Sequence, residues 1–250
     1  MQSGMEVAAL TDVGCQRENN EDSYSAWRPA SPEALQAKGY LFTVADGMGG
    51  HEGGQEASRL ATQTIEQVYS TAESADTRAL LLRAFEAAHR SIREYADNHP
   101  ALHGMGTTCT AIAVIGHDLY YAHVGDSRLY LARGGKVYRL TRDQSYVGRL
   151  VEQGIISDEE AGNHPQRNIL IGALGAGSEV VPESPEQPIS LEKADVLVLC
   201  TDGLWSLVTE DEIQKALSAK TLEESCRRLV QLAKDRGGPD NITLQTVRIS

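Results

Sequence analysis

CTAIAVIGHDLYYAHVGDSRLYLARGGKVYRL, residues 109–140, packs four β-type runs into one short stretch. Residues 109–115, 118–124, 128–133 and 136–140 are rich in β-branched and aromatic side chains and are separated by Gly116-His117, Gly125-Asp126-Ser127 and Gly134-Gly135. Connections of two or three residues read as hairpins, since a parallel crossover needs a dozen residues or more. The sheet they begin is therefore mainly antiparallel. Further strands are expected at 5–11, 40–45, 196–201 and 242–249.

Helical periodicity lies on both sides of this stretch. Ala57, Leu60, Ala61, Thr64, Ile65 and Val68 share one face, as do Leu81, Phe85, Ala88, Ile92 and Tyr95, and later Leu222, Cys226, Leu229, Val230 and Ala233. Ser157 with Glu160, Thr209 with Glu212 and Thr221 with Glu224 form capping boxes, each able to satisfy two orphan backbone donors. Antiparallel strands with helix pairs before and after them define an α+β chain of stacked sheets covered by helices. The one linker-like stretch is the proline-rich segment 182–188.

Among 250 residues, 35 acids stand against 23 lysines and arginines, a net charge of −12, and no basic block occurs. This excludes a sequence-independent nucleic-acid binder, which needs a basic stripe to neutralise phosphates. No apolar run approaches the ~18 residues of a membrane span, and residues 1–11 lack a basic start and an apolar signal core, so the expectation is a cytoplasmic protein with no membrane partner. Cys15, Cys109, Cys200 and Cys226 form no C-x-x-C pair, which leaves no zinc site or disulfide framework. Cys109, Cys200 and Cys226 read as small buried hydrophobes, and only Cys15 has a cation, Arg17, close in sequence.

The chemistry-bearing residues are acids at strand ends. Residues 41–45 run into Asp46-Gly47 and residues 196–201 into Asp202-Gly203. Asp-Gly is also a favoured turn pair. Here each is followed by a glycine-rich loop or by Leu-Trp-Ser rather than by a returning strand, and two buried strands ending in the same acid suit a shared divalent cation. Asp240 precedes the last strand, Asp126 sits in the second hairpin turn, and Arg17-Glu18-Asn19-Asn20-Glu21-Asp22 is a charged loop near the start. A phosphate cradle for a nucleotide is the competing use of the glycines after Ala45, but G-x-G-x-x-G and G-x-x-x-x-G-K-[ST] are both absent.

Seven motifs occur in one order: RENNED at 17–22, VADGMGGHEGG at 44–54, GTT at 106–108, HVGDSRLY at 123–130, LTRDQS at 140–145, CTDGLW at 200–205 and DNIT at 240–243. In these the chain resembles the PPM or PP2C family of metal-dependent serine/threonine protein phosphatases in its compact bacterial form. The resemblance implies a single domain over 1–250, a four-layer α-β-β-α sandwich of two antiparallel sheets flanked by helix pairs, with a flap insert at about 145–177. It implies two Mn²⁺ or Mg²⁺ ions and a third, weaker one. Asp46 would bridge the two ions and Gly47 would lend a carbonyl. Asp202 and Asp240 would complete one site, Asp22 with Glu21 would hold the other mostly through water, and Asp126 would join Asp202 at the third. Arg17 would grip the substrate phosphate, where a planar guanidinium meets two oxygens at once. The implied reaction is in-line attack on phosphoserine and phosphothreonine by a water bridging the metals, without a phosphoenzyme. The implied partners are phosphoproteins, including a serine/threonine kinase or its targets.

The chain departs from the family pattern at two positions. Met48 stands where eukaryotic relatives carry a histidine that serves as proton donor, and the nearest substitute in sequence is His51. Gln144 replaces the histidine of a familiar Asp-His-Ser. Glycines at 154 and 172–177 suggest short helices joined by mobile turns in the flap, where substrate choice is expected to reside. A catalytically silent module on the same fold is the remaining alternative, disfavoured because Arg17, Asp46, Asp202 and Asp240 are all present.

Overall fold

The computed structural model describes residues 5–49, 52–72 and 76–250; His51 and Gly50 lie outside them. Eleven strands among the described residues form two antiparallel sheets. One runs β1 (Glu6–Asp12), β11 (Ile242–Arg248), β10 (Val196–Cys200), β7 (Arg128–Arg133), β8 (Lys136–Arg139). The other runs β2 (Asp22–Trp27), β3 (Tyr40–Met48), β5 (Cys109–Ile115), β6 (Asp118–Val124), β9 (Ile189–Ser190), with β4 (Gly106–Thr107) also on β3.

Three apolar layers hold four layers of structure together. Strand alternation sends Phe42, Val44, Ile112, Val114, Leu197, Leu199 and Val247 into the space between the sheets. The opposite faces of β3 and β5, with Leu41, Ala45, Ala111 and Ala113, pack on α2 (Glu52–Thr71) and α3 (Thr77–Asn98) through Ala57, Ala61, Ile65, Phe85 and Ile92. On the other side Val198 and Cys200 meet α7 (Glu210–Leu217) and α8 (Leu222–Asp235) through Ile213, Cys226 and Leu229. Cys109, Cys200 and Cys226 are buried as expected, and Cys15 is exposed.

The capping boxes of Ser157 and Thr209 are complete. At Thr221 the hydroxyl accepts the Glu224 N–H, but the Glu224 carboxylate takes Arg228 instead of reaching back. Segment 182–188 is no linker: Glu183 exchanges two main-chain bonds with His123 along the sheet edge.

Several elements escaped the sequence reading, among them the two-residue strands β4 and β9. β2 turns Ser23 and Ser25 toward α2, where Ser23 Oγ meets Ser58 Oγ at 2.9 Å. A strand whose buried side is hydroxylated has no hydrophobic period. α1 (Pro32–Lys38) buries no side chain and rests on its Ser31 cap and first-position proline.

The structure also corrects one connection. Gly125-Asp126-Ser127 is not a hairpin: β6 and β7 belong to different sheets, and the three residues form the corner between them. Its length misled because three residues can turn a chain back on itself or carry it across a sandwich about 10 Å deep. The burial that selects the second path comes from residues far away in sequence.

Candidate active site

Five acids from five segments meet at one end of the sandwich. β3 continues past Ala45 to Met48, and Asp46 on it lies directly opposite Asp22, the first residue of β2. Two carboxylates facing each other across an antiparallel pair repel unless a cation joins them. Asp202 opens the short helix α6 (Asp202–Trp205) after buried β10, Asp240 sits in the turn before β11, and Asp126 occupies the inter-sheet corner.

Main-chain bonds fix these segments with little freedom. Asp46 N–H donates to Thr108 Oγ1 at 3.0 Å, while the Asp46 carbonyl accepts the Thr107 hydroxyl at 2.8 Å and the Thr108 N–H at 2.9 Å. A Cβ on Gly47 would stand 2.0 Å from the Gly54 carbonyl oxygen, and one on Gly203 would stand 1.9 Å from that of Asn241. The glycine after each key acid is therefore set by close backbone approach, not by turn geometry. Gly53 and Gly54 are buried in the first turn of α2, so the glycine run serves packing.

The electrostatics of the cluster follow from burial. Burial pushes Asp22 up to about 7, the neighbouring charges of Asp202 and Asp240 add to this, and hydroxyls of Thr243 and Thr201 oppose it. Asp202 is raised to about 6 by burial and Asp240, and it lies within hydrogen-bonding reach of Asp46. Asp46 is held well above the ordinary carboxylate range by burial, then by Asp22, Asp202, Asp126 and Asp240. Asp126 is raised by burial, then by Asp202 and Asp143. At the rim Arg17 donates to Asp240 Oδ2 at 2.8 Å while half its side chain stays exposed.

The donor set fits hard divalent cations. Asp22 Oδ1 and Asp202 Oδ1 are buried with no donor against them, a cost of about 1–3 kcal/mol per acceptor that a cation would remove. Among the described residues no three Asp, Glu, His or Cys side chains are grouped closely enough to hold an ion alone. A cation here would draw also on carbonyls such as that of Gly47 and on water, as Mg²⁺ and Mn²⁺ sites do.

Several supporting residues were missed. Asn241 clips the 17–22 loop to the sheet: its Oδ1 accepts the Glu21 N–H at 2.8 Å and its Nδ2 donates to the carbonyls of Val13 and Asn19 at 3.0 and 2.9 Å. Thr201 Oγ1 donates to Asp22 Oδ2 at 2.9 Å. Trp205 Nε1–H donates to the Asp126 carbonyl at 2.8 Å, and its ring lies 3.5 Å beneath the Arg128 guanidinium, which Asp143 grips at 2.9 and 2.6 Å. All were inside quoted motifs; Thr201 and Asn241 also stand beside an acid in sequence, but what they bond to leaves no local trace. Gln144 braces the corner, accepting the Gly125 N–H at Oε1 (3.2 Å) and donating its own main-chain N–H to the Gly125 carbonyl.

A two-sheet sandwich with a buried acidic end defines a scaffold for hard divalent cations, and the chain belongs to the protein phosphatase 2C family, whose model matches residues 16–241. It is 38% identical over 240 residues to the serine/threonine protein phosphatase PstP of Mycobacterium tuberculosis, covering 96% of this chain but 44% of that protein, so it spans less than half of that relative's length. It is 33% identical over 250 residues to protein phosphatase PhpP of Streptococcus pneumoniae, covering 98% of both. Among solved structures, a Streptococcus agalactiae serine/threonine phosphatase superposes with a TM-score of 0.89 at 35% identity, covering 99% of this chain and all of that one. The catalytic domain of PstP with two manganese ions superposes with a TM-score of 0.84 at 36% identity, covering 98% of each.

Proposed function

We propose that this chain is a single catalytic domain, residues 1–250 with a flap at about 145–177, that hydrolyses phosphoserine and phosphothreonine in proteins with the help of two Mn²⁺ or Mg²⁺ ions and a third at Asp126. Asp46, the carbonyl of Gly47, Asp202, Asp240 and Asp22 would hold the pair of ions, and Asp202 would share the third with Asp126. The observation that carries this reading is the buried, mutually raised set of acids with two unpaired carboxylate oxygens. Bound divalent cations supply Lewis acidity, lowering the pKa of a shared water and drawing charge from the phosphoryl oxygens.

The chain's own residues bind and orient the substrate. Arg17 stands at the mouth with its fork half free, so it can leave Asp240 for two phosphate oxygens once a cation takes that carboxylate. No cysteine competes as nucleophile from the interior: burial pushes the thiols of Cys109, Cys200 and Cys226 up, Cys200 to about 12. This supports hydrolysis without a phosphoenzyme. Met48 has no proton to give, so the leaving alcohol takes its proton from a group other than this side chain. The protein would act in the cytoplasm against a serine/threonine kinase; among the described residues no helix is long and apolar enough to cross a membrane.

The test is hydrolysis of a phosphothreonine peptide with Mn²⁺ and with a chelator, in the native chain and in Asp46→Ala and Asp202→Ala. Activity that needs metal and drops at least a hundredfold in both variants is expected. Activity that survives the chelator or either substitution sinks the mechanism.

A further inference from the structure

Met48 and Gln144, the two departures from the family pattern, line the same groove. It measures about 500 Å³ and lies between the end of β3 and the flap, with Ile171, Ala173, Val180 and Val181 on its other walls. Two of its aliphatic side chains are not hidden: Ile171 is 46% and Val181 81% exposed.

The flap side of the groove is fastened to the rest of the protein. Ile171 N–H donates to the Gln144 carbonyl at 2.9 Å, Leu174 exchanges two main-chain bonds with Thr107, and Gly175 N–H donates to His89 Nδ1 at 3.1 Å. Thr107 is the residue whose hydroxyl holds the Asp46 carbonyl. The groove is thus preformed and fixed relative to the acidic centre.

Its occupant is indicated by continuity and by contrast of charge. Met48 is two residues beyond Asp46 on the same strand, so a ligand filling the groove adjoins whatever fills the acidic centre. That centre calls for cations and phosphate, whereas the groove carries one arginine, Arg149, one glutamate, Glu179, and otherwise uncharged walls. We propose that the groove receives the aliphatic side chain of a residue close in sequence to the phosphorylated one, so that this chain prefers phosphoproteins with Leu, Ile or Met beside the phosphosite. The inference rests on the phosphatase reading above.

A series of phosphothreonine peptides tests it, with leucine, serine or aspartate placed in turn at each position within three residues of the phosphothreonine. Burying one aliphatic side chain in a pocket discriminates by roughly tenfold or more, so kcat/KM should rise about tenfold for leucine over serine at one or two positions. The double variant Ile171→Ser/Val181→Ser should lose that preference to within twofold while hydrolysing p-nitrophenyl phosphate as the native chain does. Both side chains are exposed, so a melting temperature within about 2 °C of the native one is expected, and Ile171→Ala/Val181→Ala should give an intermediate preference. Equal kcat/KM across all peptides, or a preference that the double variant keeps, overturns the groove proposal while leaving the phosphatase reading intact. Failure to hydrolyse any substrate with Mn²⁺ overturns that reading itself. Sedimentation velocity supplies the remaining outcome: a dimer abolished by the double variant, without peptide preference, assigns the groove to a second copy of the chain.

Discussion

Replacing Asp202 by asparagine should make the metal-free protein more stable and the metal-loaded protein less so, a reversal that a purely structural aspartate would not give. In the fold, burial and Asp240 raise Asp202 to about 6, against 3.8 for the free side chain. Because the folded state holds the proton more tightly, this group favours folding at low pH, and that advantage is lost as pH rises from 3.8 through 6. The difference of about 2 pH units corresponds to about 3 kcal/mol. Asparagine cannot ionise, and its amide can donate toward Asp46. In a chelator, the stability of Asp202→Asn relative to the native chain should therefore grow by about 3 kcal/mol between pH 4 and pH 8. For a chain of this size that is a relative shift of about 6–12 °C in melting temperature. Adding Mn²⁺ at a hundred times its dissociation constant should stabilise the native chain by about 2.7 kcal/mol and the variant far less. Urea unfolding at the two pH values, with and without metal, reads all four quantities. A variant that gains nothing on the native chain at pH 8 in chelator, or gains as much from Mn²⁺, would refute the argument that buried like charges await cations here.

Four further outcomes are expected. Asn241→Ala removes two hydrogen bonds to the 17–22 loop and a third to the Val13 carbonyl and should cost about 2–4 kcal/mol in urea unfolding, with faster amide exchange at Glu21. Trp205→Phe keeps a ring under Arg128 but loses the bond to the Asp126 carbonyl; calorimetric Mn²⁺ titration should show the weakest ion lost first, with about 1 kcal/mol of stability. Gly203→Ala would set its Cβ 1.9 Å from the Asn241 carbonyl oxygen, so the two main chains must move apart; it should destabilise by at least about 2 kcal/mol, read as a lower melting temperature. Buried His123, held neutral with its pKa lowered to about 4 by burial, contributes stability that is present above 6.5 and lost as pH falls toward 4. The native chain should therefore lose about 3 kcal/mol relative to His123→Gln over that range, and parallel stability curves would contradict this.

Local signals carried the fold a long way. The β-rich runs at 109–115 and 118–124 and the caps at Ser157 and Thr209 are properties of neighbouring residues, and they appear as expected. β2 was illegible because its buried face carries Ser23 and Ser25, whose partners are a helix and not an apolar layer. The acids were legible as residues at strand ends, and their family order suggested a common site. Asn241 and Trp205 were not, since a hydrogen bond to a distant carbonyl leaves no local pattern.

By itself the sequence determined an antiparallel α+β chain with helix pairs on either side and acids poised at Asp46-Gly47 and Asp202-Gly203. Periodicity, caps and turn chemistry act over a few residues and are written where they act. Tertiary structure alone decided that Gly125-Asp126-Ser127 crosses between sheets, that Asp22 faces Asp46, and that Met48 and Gln144 share a groove. Each depends on which distant surfaces bury one another, and that burial also lifts the four carboxylates together and makes a cation the partner they lack.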